Sequence, residues 1–423
     1  MYFQDPDQLK FSKTHQETLR RLTIDASESA KVLHDFEAIL DLVKAGSLEI
    51  TPAGQLTLAS VSTINSRMSH PLQLGLQRPQ QKSYPHVHGL YLLLRASGLT
   101  TINETEKRRL LYLEDALYQQ WLALNPTERY CTLLETWMIR GKPEIIGEYG
   151  RSFDLIPDNF ERTASFYIAI PSVGARINNQ KTREAELAYH PGLYNLGLLD
   201  LFGLVNVEQG SSEPGRGWCI NAIYRTPVGD AFIAALYTGF FSDTASMLAL
   251  EDNIPESLGV LQFGVLQPIL QPYLAGWRNN LVGPKGAFRL GTYVFKVALG
   301  KVWRQIGIDA HLSLDDLASI ILMAFEFDDD HLYEFSYKNP LGITVSFYHT
   351  YMDEGPFAED VKIGDLPIAI GQTIKFLFDF GDNWKFTIVL EQINTKQLPN
   401  HKQILATHGT PPLQYPNWDE DET

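Results

Sequence analysis

The chain has 423 residues, 44% of them hydrophobic, and a formal net charge of −15. That length exceeds one ordinary core and implies roughly two to three domains, and the acidic balance excludes a surface that neutralises nucleic-acid phosphates over its whole extent. Cys131 and Cys219 lie far apart without Cys-x-x-Cys or Cys/His spacing, which argues against a disulfide framework or a zinc site; with neither a signal-peptide core nor a long apolar run, the expectation is a cytoplasmic protein that does not enter the membrane.

Residues 1–26 read as a polar leader. A first winged-helix-like module is expected over 27–124. Its helix at 27–44 carries Val32, Phe36, Ile39, Leu40 and Val43 at helical spacing and stops at Gly46. LEITPAGQLTL then reads as two short strands around a turn. The Gln- and Pro-rich 71–85 is a loop, and HVHGLYLLLRASGLTT resumes as a helix broken at Gly98. Between 61 and 112 the charge reverses locally, with Arg67, Arg78, Lys82, Arg95, Lys107, Arg108 and Arg109 against Glu104 and Glu106.

A second winged-helix-like module is expected over 125–245. Asn125-Pro126-Thr127-Glu128 opens a helix, with Pro126 where a missing N–H costs nothing and Glu128 in the first turn. A short helix follows at 191–202. Then LVNVEQGSSEPGRGWCINAIYRTPVGDAFIAAL gives strand, Gly/Ser/Pro-rich tip, strand and helix. Such a hairpin can lie on a nucleic-acid backbone, and Arg216 and Arg225 would be its cations, with Lys107, Arg108 and Arg109 as a second basic group. Residues 246–286 read as a helical connector, 287–410 as an α+β domain with a mostly antiparallel sheet, and 411–423 as an acidic tail. From Gly291 to Thr423 there are 9 basic and 20 acidic residues, so the acidity belongs mainly to the last domain.

Three dense clusters organise that domain: KVWRQI, MAFEFDDDHLYEF and FLFDFGDNWKFTIVLE. They resemble the family named after the third open reading frame of plasmid pRiA4b, through Trp303, Arg304, Phe325, Asp330, His331, Leu332, Glu334, Phe335, Asp379, Phe380, Gly381, Asp382 and Trp384. The resemblance covers about the last third and implies a plasmid or insertion-element setting. Family members often carry a Cys-containing loop near the end, where this chain has HGTPPLQYPNWDEDET and no Cys.

Asp328, Asp330 and His331, with Glu334 as a further ligand, could share a divalent cation; with no second His or Cys at ligand spacing, an acidic helix-to-strand turn is the preferred reading. Asp379-Phe380-Gly381-Asp382-Asn383-Trp384 lacks the loop, lysine and HRD companions of a kinase DFG motif. It reads as a tight turn with Gly381 supplying positive φ. Trp303 is expected in the core and Arg304 to neutralise Asp328–Asp330, the alternative being a clamp on a ligand carboxylate or phosphate. His331 is expected to open a strand, and could form an acid–base pair with Asp379 or Asp382 if the two clusters meet across a sheet. The sequence thus points to an α+β, multidomain, non-enzymatic protein with no cofactor. It would be DNA-associated through its winged modules and recruit a protein partner through its acidic last domain. The alternatives are a protein-interaction scaffold without nucleic acid, or a metal-dependent enzyme centred on His331.

Overall fold

A computed structural model describes residues 10–25, 31–102, 108–147, 158–177, 180–241, 263–283, 288–339, 341–353, 355–395 and 401–415. Lys107, residues 1–9 of the leader, most of the connector (246–262 and 284–286) and residues 416–423 of the tail lie outside them. The chain divides into two compact units, one made of 1–253 and 261–283, the other of 254–260 and 284–423.

The first unit opens with α1 (Lys13–Arg21), inside the stretch read as a polar leader. Ser12 accepts from the His15 backbone N–H while the His15 ring accepts from the Ser12 N–H, and Leu19 is fully buried. This reciprocal cap and one apolar anchor make a helix of a polar segment. In α2 (Lys31–Lys44), Val32, Phe36, Ile39, Leu40 and Val43 are buried as their spacing requires. The hairpin expected at 48–58 shrinks to a single bridge, Ile50 to Leu56, because the Thr57 side chain caps α3 (Leu58–Arg67) and turns the chain into a helix instead. The helix α4 (Pro85–Ala96) follows, and a hairpin pairs β1 (Thr100–Ile102) with β2 (Leu111–Leu113).

After α5 (Asp115–Ala123), α6 (Pro126–Glu135) begins at the Asn125/Glu128 capping box. Glu128 also accepts from the backbone N–H groups of Arg278 and Asn279, at 3.2 and 2.8 Å. Buried Glu135 likewise accepts from Gly264 and Leu266, so one helix holds the 263–283 segment at both ends. Then come α7 (Asp158–Ala169), β3 (Ala175–Arg176), α8 (Gln180–Tyr189), α9 (Leu193–Leu201), β4 (Val205–Gln209), β5 (Ile220–Arg225) and α10 (Pro227–Phe241), and finally α11 (Gln267–Leu270). The order in this small sheet is β3-β5-β4. Every residue of α4 is buried, and α4 packs on α9. Glycines let the helices close: a Cβ on Gly89 would stand 2.7 Å from Leu198 Cγ, and one on Gly197 would stand 3.1 Å from the backbone of Pro85 and His86.

The described residues of the second unit form a seven-stranded antiparallel sheet and one long helix. Its strands are β6 (Thr292–Leu299), β7 (Val302–Asp309), β8 (Tyr333–Lys338), β9 (Thr344–Tyr348), β10 (Thr373–Phe378), β11 (Trp384–Asn394) and β12 (Lys402–His408), in the order β12-β7-β6-β11-β10-β8-β9. The helix α12 (Leu314–Ala324) starts at the Ser313/Asp316 capping box and covers one face with Leu317, Ile320 and Ile321. Alternation along each strand sends Val297, Phe335, Phe347, Phe376 and Phe386 into that core. Among the described residues no helix covers the other face, which is exposed at Lys338, Lys375, Lys385 and Thr387 and buried at one end around Thr292, Val294 and Asp309.

Candidate functional site

In the first unit, four of the five cations expected to meet a nucleic acid lie among the described residues, and each of the four has a partner within the protein. Arg225 Nη2 lies 2.5 Å from Asp230 and the guanidinium rests over the Tyr167 ring. Arg216 donates to Glu213 at 2.8 Å, and its backbone carbonyl accepts from Gly75 N at 3.0 Å, so the hairpin tip is bonded to the 71–85 loop. Arg108 pairs with Glu49 at 3.2 Å, and Arg109 donates to the Pro52 carbonyl. Beneath them, His86 Nε2 on α4 meets Asp200 on α9 at 3.2 Å, both buried. Burial pushes the Asp200 carboxyl up, but the His86 hydrogen bond and charge, together with the Lys31 charge and the Val207 N–H, leave it below the ordinary range.

In the second unit, α12 runs into the acidic turn 328–332, and β8 begins at Tyr333 rather than at His331. The turn is strapped by two residues that the sequence reading did not single out. Gln414 Oε1 accepts from Asp328 N at 2.5 Å, and its amide donates to Asp330 Oδ1 at 3.2 Å and to the Asp328 carbonyl at 3.3 Å. Tyr415 donates to Asp330 Oδ2 at 2.5 Å. That hydrogen bond holds the Asp330 carboxyl below its ordinary range. Asp329 shifts the other way, raised first by burial and then by the charges of Asp315 and Asp330. No local pattern marks the strap: PPLQYP reads as loop, and only the fold seats Gln414, 6% exposed, against Asp328.

His331 Nε2 lies 3.4 Å from Asp379 and 3.8 Å from Asp330, so the two clusters do meet. Asp379 is chiefly a turn residue. Its Oδ1 accepts from Gly381 N at 2.8 Å and Asp382 N at 3.3 Å, and its carbonyl accepts from Asn383 N. Positive φ falls on Asp379 (56°) and Asn383 (57°), not on Gly381, because their side chains bond the local backbone and offset the αL cost. Asp382 takes part through its N–H only. Glu334 points to the open face, where it accepts from Ser346 Oγ at 2.6 Å, away from His331. Among the described residues no group of three His, Cys, Asp or Glu side chains is arranged to hold a metal ion.

Arg304 does not pair with Asp328–Asp330. It is 4% exposed and donates through Nε to the Ala324 carbonyl at 2.7 Å and through Nη1 to the Trp303, His408 and Gly409 carbonyls, its guanidinium over Phe325. A cation therefore closes the C-terminus of α12, where free carbonyls concentrate negative charge. Trp303, expected in the core, is half-buried on the open face beside His408.

These features define an antiparallel sheet domain with a helix on one face and hydrogen-bonded turns at 328–332 and 379–384. Residues 292–413 match the family described as plasmid pRiA4b ORF-3-like protein. A crystal structure of a protein of unknown function from Methanosarcina mazei Go1 is 24% identical, covering 28% of this chain and 70% of that one, with a TM-score of 0.25. No curated protein matches the chain.

Proposed function

We propose that the chain is a non-enzymatic adaptor, whose first unit is a protein-interaction body and whose plasmid ORF-3-like unit recruits a further ligand. The element orders α2, α3, α4, β1, β2 and α7, β3, α8, α9, β4, β5 each resemble a winged helix, in which the helix before the hairpin is the one that enters a DNA groove. The observation that carries the adaptor reading is that those two helices, α4 and α9, pack against each other, with α4 wholly buried. The hairpin arginines, engaged with Asp230, Glu213 and Glu49, support it. Winged folds also serve as interaction modules, and fold does not fix function.

A DNA-associated reading keeps one favourable observation: the Arg108 side chain is 73% exposed next to the β1–β2 hairpin. Titration of the full-length protein with a labelled 30-base-pair duplex at low salt decides between the two. The adaptor reading expects no saturable binding. Saturable binding that weakens in Arg108→Ala or in Arg216→Ala/Arg225→Ala, with a shallower salt dependence, would overturn it.

A further inference from the structure

The open face of the seven-stranded sheet carries a charge opposite to that of its domain. One line across it follows the register through His408, Trp303, Ala298, Thr387, Lys375, Ser336 and Ser346. The adjacent lines hold Lys296 beside Gln305 and Val389, Lys338 opposite Thr344, and Lys385 beside Leu377. Four lysines therefore share this face, three of them exposed, within a region of net charge −11. Among the described residues none of the four has a carboxylate within 4.0 Å. Three acids fall on this face by alternation and all are engaged: Glu334 accepts from Ser346, Glu391 from Gln305, and buried Asp309 from the His311 N–H. Lys402, by contrast, turns to Asp316 on the helix side.

The same face offers a ring surface. Trp303 and His408 lie near-parallel, 16° apart with centroids at 5.5 Å, and Lys296 Nζ sits 4.9 Å from the centre of the indole. Between this stack and Lys375 the side chains along the register line are short, Ala298 and Thr387, and beyond Lys375 lie Ser336 and Ser346. Cations without a carboxylate partner, Lys375 standing diagonal to both Lys338 and Lys385 at roughly 7–8 Å, with aromatic rings at one end of the face, suit a chain of phosphates with unstacked bases. A duplex keeps its bases paired and stacked and offers none to the Trp303–His408 rings.

We propose that this face binds single-stranded nucleic acid, with Lys296, Lys338, Lys375 and Lys385 on the backbone and a base stacked on the Trp303–His408 pair. The assignment gives a chemical class to the ligand of the adaptor reading, yet it rests on a surface that the first unit does not share. Duplex and single-strand titrations therefore fail independently.

The test is fluorescence anisotropy of the full-length protein with a labelled 20-nucleotide oligothymidylate, from low to moderate salt. Four phosphate contacts imply a log–log salt slope of about −3, and Lys375→Gln/Lys385→Gln, both on exposed positions, should reduce it by about 1.4. Trp303→Ala should weaken binding about tenfold or more, with Trp303→Phe restoring most of it. Absence of binding at low salt, or a slope unchanged in the lysine pair, overturns the proposal. So does polyglutamate binding as tightly as the oligonucleotide with the same lysine dependence, which would make an acidic protein segment the occupant.

Discussion

Replacing Gly89 by alanine asks whether α4 and α9 bury each other in solution, and the two readings differ in sign. On a helix face open to a groove, alanine gains about 1 kcal/mol over glycine through reduced backbone entropy. Here the added Cβ would stand 2.7 Å from Leu198 Cγ and 3.0 Å from its Cδ2, so a buried side chain must move. Overpacking of that kind costs about 1–3 kcal/mol, which cancels the gain and leaves a net loss of up to about 2 kcal/mol. Thermal or urea melts of the full-length protein measure it, at about 2–4 °C per kcal/mol for a unit of this size. The control is a double-mutant cycle with Leu198→Ala, which alone costs about 2–5 kcal/mol. In that background the Gly89→Ala methyl enters vacated space and should stabilise, giving a coupling of about 1–3 kcal/mol. A rise in melting temperature on the unmodified background, or the same effect on both, would refute the packing argument.

Two further outcomes concern the acidic turn of the second unit. Tyr415→Phe removes the donor that holds Asp330 low; a carboxylate with a depressed folded pKa adds stability above its unfolded value and loses it as pH falls through the folded one. The gap between Tyr415→Phe and the parent should therefore close as melts move from pH 7 down below about pH 4, and a gap independent of pH would contradict the strap. His331→Gln exchanges contacts of 3.4 and 3.8 Å to Asp379 and Asp330, so a change of no more than about 0.5–1.5 kcal/mol is expected, equal with and without chelator. Stabilisation by zinc, manganese or magnesium that depends on His331 would restore the metal reading.

Local chemistry was legible in the amino-acid sequence wherever a few neighbouring residues decide it. Ser313 with Asp316, and Asn125 with Glu128, announce helix starts because both partners of each cap lie within one turn. Alternation gave the long strands of the last domain, and the turn at 379–384 followed from side chains that bond their own backbone. Period 2 or 3.6 says which face of an element is apolar; it does not say what will cover it. The mutual burial of α4 and α9, fixed by Gly89 against Leu198 and by His86 against Asp200, 114 residues apart, was decided only by tertiary packing. The same holds for Arg304, which reads as a partner for nearby acids but finds the last carbonyls of α12, and for Gln414, 86 residues from the Asp328 it straps. Register across seven strands, likewise beyond any local pattern, brings Lys296, Lys338, Lys375 and Lys385 from four strands onto one open face. A free cation and a paired one look alike along the chain, because the energy that separates them depends on what the fold brings within a few ångströms.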